Sequence, residues 1–220
     1  SDQLKKIYEC KLKSISRVYN GIDITYRPDK NDPSIIAQIN KFRDLNYKII
    51  GSYAYLTRIK GLEQLIKVLE KRKDLAVVII GEGEAKNELI ELSRTLNVID
   101  RTLFLDYLPT PYNYLSLFDV YAMCSRSEGF GLAAVEATLM QTPVVCSNIS
   151  IFKEIFDDTK VSFFELDNIS SLLESINIAI STIGKLKAKV ALNYSLNNFS
   201  GYKMASNYLD IYSNLLNGKI

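Results

Sequence analysis

The chain of 220 residues carries 27 basic and 25 acidic side chains, a formal charge of +2, with 47% apolar and 24% charged residues. That is the composition of an ordinary globular protein, long enough to bury about 70% of the surface its unfolded form exposes, and the charge balance excludes a general field aimed at nucleic acid. No histidine is present, which excludes Ser-His-Asp, Cys-His and histidine-metal chemistry from these residues, and no apolar run approaches the roughly 20 residues that span a bilayer. Three cysteines, Cys10, Cys124 and Cys146, are odd in number and lack metal-ligand spacing, so they read as reduced structural thiols of a cytosolic protein.

Residues 1–14 read as a polar, helical lead-in. After them, short β-branched runs alternate with helical patterns. Strands are expected at 15–19, 47–53, 76–80, 102–105, 119–123, 143–146 and 161–164, and helices near 33–45, 61–73, 84–96, 111–117, 131–140 and 168–181. The strand runs are apolar throughout, as in strands covered on both faces. The alternation therefore predicts an α/β fold, a doubly wound parallel sheet over 15–198. The segment 199–216 has apolar residues at helical spacing on one side and is expected to form an additional C-terminal helix within 199–220.

Ligands of open α/β sheets sit beyond the carboxyl ends of the strands. In "GSYAYLTRIKGLEQLI" (51–66), Arg58 and Lys60 stand just ahead of a helix, where a cation can neutralise a diphosphate. In "VVIIGEGEAKNEL" (77–89), Gly81 and Gly83 begin a dinucleotide-like pattern. Lys86 holds the third glycine's place and Glu82 and Glu84 repel a pyrophosphate, so this loop reads as a turn. The most informative stretch is "SRSEGFGLAAVEATLMQTPVV" (125–145). Its helix is apolar on almost every side yet carries Glu136, and a buried carboxylate needs a partner. Its entry, Glu128-Gly129-Phe130-Gly131, leaves the amides of Gly131, Leu132 and Ala133 free to meet an anion, unless it is only a tight strand-to-helix turn.

As a set, these residues resemble the carboxy-terminal, donor-binding domain of retaining glycosyltransferases of GT-B fold, family 4 type. The resemblance rests on "YNGID" (19–23), "IKGLEQLI" (59–66), "VVIIGEGE" (77–84), "RTLFLDYLP" (101–109), "LFDVYAMCSRSEGFGLAAVEA" (117–137) and "TPVVCSN" (142–148), in unbroken order. Its most specific element is the Glu-x7-Glu pair, Glu128 and Glu136. The resemblance implies one Rossmann-like half of a GT-B fold that moves a sugar from a nucleotide diphosphate donor to a hydroxyl acceptor in bacterial polysaccharide or glycan synthesis.

On that resemblance Glu136 receives the ribose hydroxyls. Glu128, with the amides of Phe130 and Gly131, orients the sugar, and Leu132 and Ala133 face the diphosphate. Lys60 neutralises the leaving group, and the base lies near Tyr107 and Leu108. The implied donor is a substrate rather than a resident cofactor, and no metal is implied. The resemblance further implies a saccharide, lipid-linked or protein acceptor held by an amino-terminal domain, with residues 1–14 as the linker from it and 199–220 as a crossover helix back to it, a cytoplasmic setting that includes the inner face of the membrane, and little sugar transfer by this chain alone. One departure stands out: the family's arginine five residues before the lysine is here Tyr55, within Ala54-Tyr55-Leu56, and Arg58 is the candidate substitute. Two alternatives are a non-catalytic glycosyltransferase-like partner subunit and a nucleotide-sugar epimerase of GT-B fold.

Overall fold

The computed structural model describes residues 16–23 and 31–217. The lead-in 1–14 and Cys10 lie outside the described residues. Six apolar runs become parallel strands: β1 (Lys48–Tyr53), β2 (Leu75–Ile80), β3 (Thr102–Leu105), β4 (Val120–Met123), β5 (Val144–Ser147) and β6 (Ser162–Phe164), in the spatial order β3-β2-β1-β4-β5-β6. Side chains alternate between two separate cores, which is why the runs are apolar throughout. Along β2, Ala76, Val78 and Ile80 enter one core, while Leu75, Val77 and Ile79 enter the other.

The helices that cover these faces are α1 (Pro33–Asp44), α2 (Glu63–Lys71), α3 (Lys86–Thr95), α4 (Leu132–Leu139), α5 (Ser150–Ile155), α6 (Ile169–Ile180), α7 (Thr182–Asn198) and α8 (Gly201–Leu216). Local chemistry sets several of their starts. Asp32 accepts the Ser34 amide at 2.8 Å with Pro33 in the first turn of α1, and Asn168 and Ser200 cap α6 and α8. The doubly wound sheet and the C-terminal helix are therefore as the sequence predicts.

Four details differ. Residues 16–20 form no strand; the segment instead makes one isolated bridge, Ile22 to Ser200, with the Ile22 amide donating to the Phe199 carbonyl at 2.7 Å. Gly21 permits that approach, since a Cβ there would lie 2.5 Å from the Ser200 carbonyl oxygen. Residues 111–117 wind as a 3₁₀ helix rather than an α-helix. Helix α5 fills the connection after β5, where no helix is expected from the sequence.

The fourth is α7, which follows α6 directly through Ser181, a residue that closes one helix and caps the next. Its buried side is made of small residues, Gly184, Ala188, Ala191 and Ser195, while Ile183, Leu186 and Val190 face outward, so the usual apolar stripe is inverted. The small side allows close packing. The Ser195 and Thr138 hydroxyls meet at 2.7 Å, and Lys187 donates to the Val161 carbonyl at 3.0 Å beside the edge strand β6.

Candidate functional site

Strand β1 pairs with β2 on one side and β4 on the other, and the chain leaves these central strands toward opposite faces. A crevice opens where the loops diverge, the place where open α/β sheets bind ligands. Here it is a cleft of about 800 Å³, lined by Tyr53 and Ala54 after β1, by Lys60, by residues 128–133 after β4, and by Glu136. The segment 17–20 and the side chains of Ile151 and Glu154 close its rim.

Two loops are stitched together to shape it. Gly61 has φ +62°, and a Cβ there would stand 2.2 Å from the Cys124 carbonyl oxygen, so only glycine lets the 57–61 loop lie on the 124–128 loop. Arg126 locks the pair from outside: its guanidinium donates to the Arg58 carbonyl at 3.0 Å and pairs with Glu63 at 2.7 Å and Asp167 at 2.5 Å. As a result, the Lys60 ammonium reaches into the cleft and lies 2.6 Å from Glu128, whose same oxygen accepts the Ser125 hydroxyl at 2.7 Å.

Helix α4 opens at Gly131 with φ +84° and no side-chain cap. A Cβ on Gly131 would lie 2.4 Å from the Phe152 ring, so this glycine is required by both backbone and neighbour. Gly129 faces open space and no neighbour in the chain demands it. The Gly131 carbonyl takes the amides of Ala134 and Val135, and Gly131, Leu132 and Ala133 themselves line the cleft, where the helix dipole favours an anion.

One turn further, Glu136 faces the cleft only partly buried, and its Oε2 accepts the Tyr53 hydroxyl at 2.5 Å. Burial raises the Glu136 carboxyl above its ordinary value, and the Tyr53 hydrogen bond offsets part of that rise. Burial, followed by the nearby Tyr121 and Glu136, raises the Tyr53 phenol well above its ordinary value and keeps it a neutral donor. Tyr121, whose hydroxyl donates to the Tyr53 carbonyl at 3.2 Å, holds the end of β1 in place.

Seven of the expected site residues thus meet in one cleft: Lys60, Glu128, Phe130, Gly131, Leu132, Ala133 and Glu136. Three do not. The Arg58 guanidinium pairs with Glu88 at 3.1 Å and lines a second hollow on the far side of its loop, so the structure turns it away from Lys60. Tyr107 is exposed and Leu108 packs on the core, both beyond β3 at the sheet edge and outside the cleft lining. Gly81 and Gly83 serve packing, as a turn should: Cβ atoms there would lie 2.0 Å from the Ala54 carbonyl oxygen and 2.4 Å from that of Leu56. Lys86 pairs with Asp106 instead of facing a phosphate.

Among the cleft residues that sequence reading passes over are Tyr53, Arg17 and Glu154. Tyr53 is signalled only by being the last residue of a central strand. Arg17 and Glu154, 2.5 Å apart in space and 137 positions apart in sequence, carry no local signal.

A six-stranded parallel sheet covered by helices on both faces, with its cleft at the reversal of strand order, defines a doubly wound, Rossmann-like α/β domain. Residues 35–191 match the family described as glycosyl transferases group 1, and the chain belongs to that family. It is 35% identical over 202 residues to the O-antigen biosynthesis glycosyltransferase WclY of Escherichia coli, a match that covers 90% of this chain and 55% of WclY. The fold is shared with a glycosyltransferase of Rickettsia africae (TM-score 0.82, 22% identity, 98% of this chain and 61% of that one). It is also shared with Anabaena HepE, solved in complex with UDP and glucose (TM-score 0.76, 23% identity, 90% of this chain and 55% of that one). The chain thus spans about half the length of the curated relatives it matches. Among the described residues, no helix is long and apolar enough to cross a membrane.

Proposed function

We propose that the cleft binds a nucleoside diphosphate sugar, and that the chain is the donor-binding part of a retaining glycosyltransferase of family 4 type acting in bacterial cell-surface polysaccharide or glycan synthesis. The observation that carries this reading is the juxtaposition on α4 of two ligand-directed features. The uncapped helix start suits a diphosphate, and Glu136, one turn on, suits the hydroxyls of the attached ribose. Support for the transferase and nucleotide parts of this reading comes from the name of WclY, an O-antigen biosynthesis glycosyltransferase, and from the UDP and glucose bound to HepE.

On this reading the diphosphate lies across the amides of Gly131, Leu132 and Ala133 with Lys60 above it, and the ribose reaches Glu136. Glu128 turns its second oxygen to the sugar while Lys60 and Ser125 hold the first. The base extends toward Tyr107 and Leu108 along the ends of the strands. Charge develops on the departing diphosphate, so stabilising that leaving group is the main catalytic contribution, and the departing phosphate itself draws the proton from an acceptor attacking the same face. No protein nucleophile and no metal is assigned a step. We place the acceptor on a second domain across the cleft and the chain in a reducing, cytoplasmic setting, consistent with the free buried thiols of Cys124 and Cys146.

A thermal-shift panel of nucleotides and nucleotide sugars tests the reading: a ligand at 100 times its dissociation constant adds about 2.7 kcal/mol of apparent stability. No shift with any nucleoside diphosphate or nucleotide sugar would overturn it. A non-catalytic partner subunit is the second reading. It is favoured by Tyr55 at the expected arginine position and by Arg58 pairing with Glu88. Donor binding without transfer in a full-length, two-domain enzyme would support it.

A further inference from the structure

The cleft contains a charge imbalance. Among its described lining residues are two cations, Arg17 and Lys60, and three carboxylates, Glu128, Glu136 and Glu154. An incoming diphosphate must therefore take a cation from a carboxylate that already holds it. The two ion pairs differ in how readily they can yield one. The side chains of Lys60 and Glu128 are only 23% and 11% exposed, and removing the lysine would strand a mostly buried charge. Arg17 and Glu154 are 58% and 36% exposed, in water that screens their attraction. The other nearby arginines are committed elsewhere, Arg58 to Glu88 and Arg126 to Glu63 and Asp167.

We propose that Arg17 is the exchangeable cation of the cleft, leaving Glu154 to pair with the diphosphate of a bound nucleotide, so that Glu154 sets the affinity of the site by competing for Arg17. This rests on the donor-binding reading above. Three features support the exchange. The Arg17 guanidinium lies over the Tyr19 ring at 5.9 Å, and that ring stands 5.8 Å from Phe130, immediately before the start of α4 where the phosphates are placed. Tyr19 and Phe130 both pack on the buried Phe199 ring, at 5.8 and 5.6 Å, which fixes this shelf to the core. When Arg17 leaves, Glu154 is not abandoned, because the Tyr19 hydroxyl also donates to it at 3.2 Å. The planar guanidinium suits the task, since it can bind two phosphate oxygens at once.

The test is calorimetric titration of the 220-residue chain with UDP and with uridine, for wild type, Arg17→Ala, Arg17→Lys, Glu154→Gln and the double variant Arg17→Ala/Glu154→Gln. GDP with guanosine and ADP with adenosine serve as parallel probes. Arg17→Ala is expected to weaken diphosphate binding about tenfold and leave the nucleoside unchanged, with Arg17→Lys between it and wild type. Glu154→Gln is expected to tighten diphosphate binding severalfold, and that gain should vanish in the double variant. Both side chains are exposed, so unchanged melting temperatures would establish that the variants fold. Wild-type affinity in Arg17→Ala, or a Glu154→Gln gain that persists without Arg17, would overturn the exchange while leaving the donor site standing. Failure of the wild-type chain to bind UDP, GDP or ADP more tightly than the nucleosides would instead overturn the donor reading, and the exchange with it.

Discussion

Replacing Glu136 by Gln separates two consequences of one carboxylate. In the free protein the folded environment raises the Glu136 carboxyl above its reference value of 4.5, chiefly through burial, with the Tyr53 hydrogen bond pulling the other way. A carboxyl raised in the folded state binds its proton more tightly there than in the unfolded chain. Its contribution to stability is therefore full below the unfolded value and is lost as pH rises through the folded value. At pH 7 the wild type bears the cost of a partly desolvated charge that an amide avoids, while the amide oxygen can still accept from Tyr53. Ligand-free Glu136→Gln should therefore melt at or above the wild-type temperature at pH 7, and the difference should disappear below about pH 4. Binding should move the opposite way. A hydrogen bond to a charged group contributes about 1.5–3 kcal/mol against about 0.5–1.5 for a neutral pair, so two ribose hydroxyls lose about 2 kcal/mol, or about 30-fold in affinity. Titration of UDP and 2′-deoxy-UDP against both proteins, with melting curves across pH, reads both effects. Equal affinities in all four pairings would refute the ribose assignment. A variant that melts lower than wild type at pH 7 would refute the view of Glu136 as a cost to the fold.

Three further outcomes are expected. Lys60→Ala should weaken a nucleoside diphosphate far more than its nucleoside, and should also lower the melting temperature, because Glu128 is only 11% exposed and loses its cation; equal losses for both ligands in titration would misplace the phosphate site. Gly131→Ala should cost about 1–3 kcal/mol in denaturant unfolding and abolish nucleotide binding, since a Cβ at φ +84° would meet Phe152 at 2.4 Å; wild-type stability would show that the turn is not constrained as described. Donor binding should survive EDTA, while sugar transfer should need the acceptor held about 3–3.5 Å from the anomeric carbon by a second domain. Loss of binding on chelation, or full transfer by this chain alone, would refute those parts of the proposal.

Much of the site was legible because its signals are local. Glycine before a helix, a carboxylate inside an apolar helix and a lysine ahead of an earlier helix are each visible within a few residues, and with Glu128, marked by the family resemblance, the seven positions line one cleft. Arg58 misled for the same reason. Being two residues from Lys60 says nothing about direction, and on a 3₁₀ turn closed by Gly61 the two side chains leave on opposite sides, one to Glu88 and one to Glu128. Helix α7 was missed because periodicity assumes that large apolar residues point inward. There the inward side is Gly184, Ala188, Ala191 and Ser195, chosen by the closeness of the neighbouring elements.

By itself the sequence determined the parallel, doubly wound sheet, because strands buried on both faces must be apolar along their whole length and the crossover helices must be one-sided. It also marked Glu136, since a carboxylate inside an apolar helix is recognisable without neighbours, whereas Glu128 and Lys60 were given their roles through the family resemblance. Only the tertiary structure decided how those charges are satisfied: Tyr53 on Glu136, Ser125 and Lys60 on Glu128, and Arg17 with Tyr19 on Glu154. Of these partners, Glu154 lies 137 residues from Arg17 and Glu136 lies 83 from Tyr53. No pattern along the chain encodes such a meeting, because it arises from the order in which the strands lie side by side.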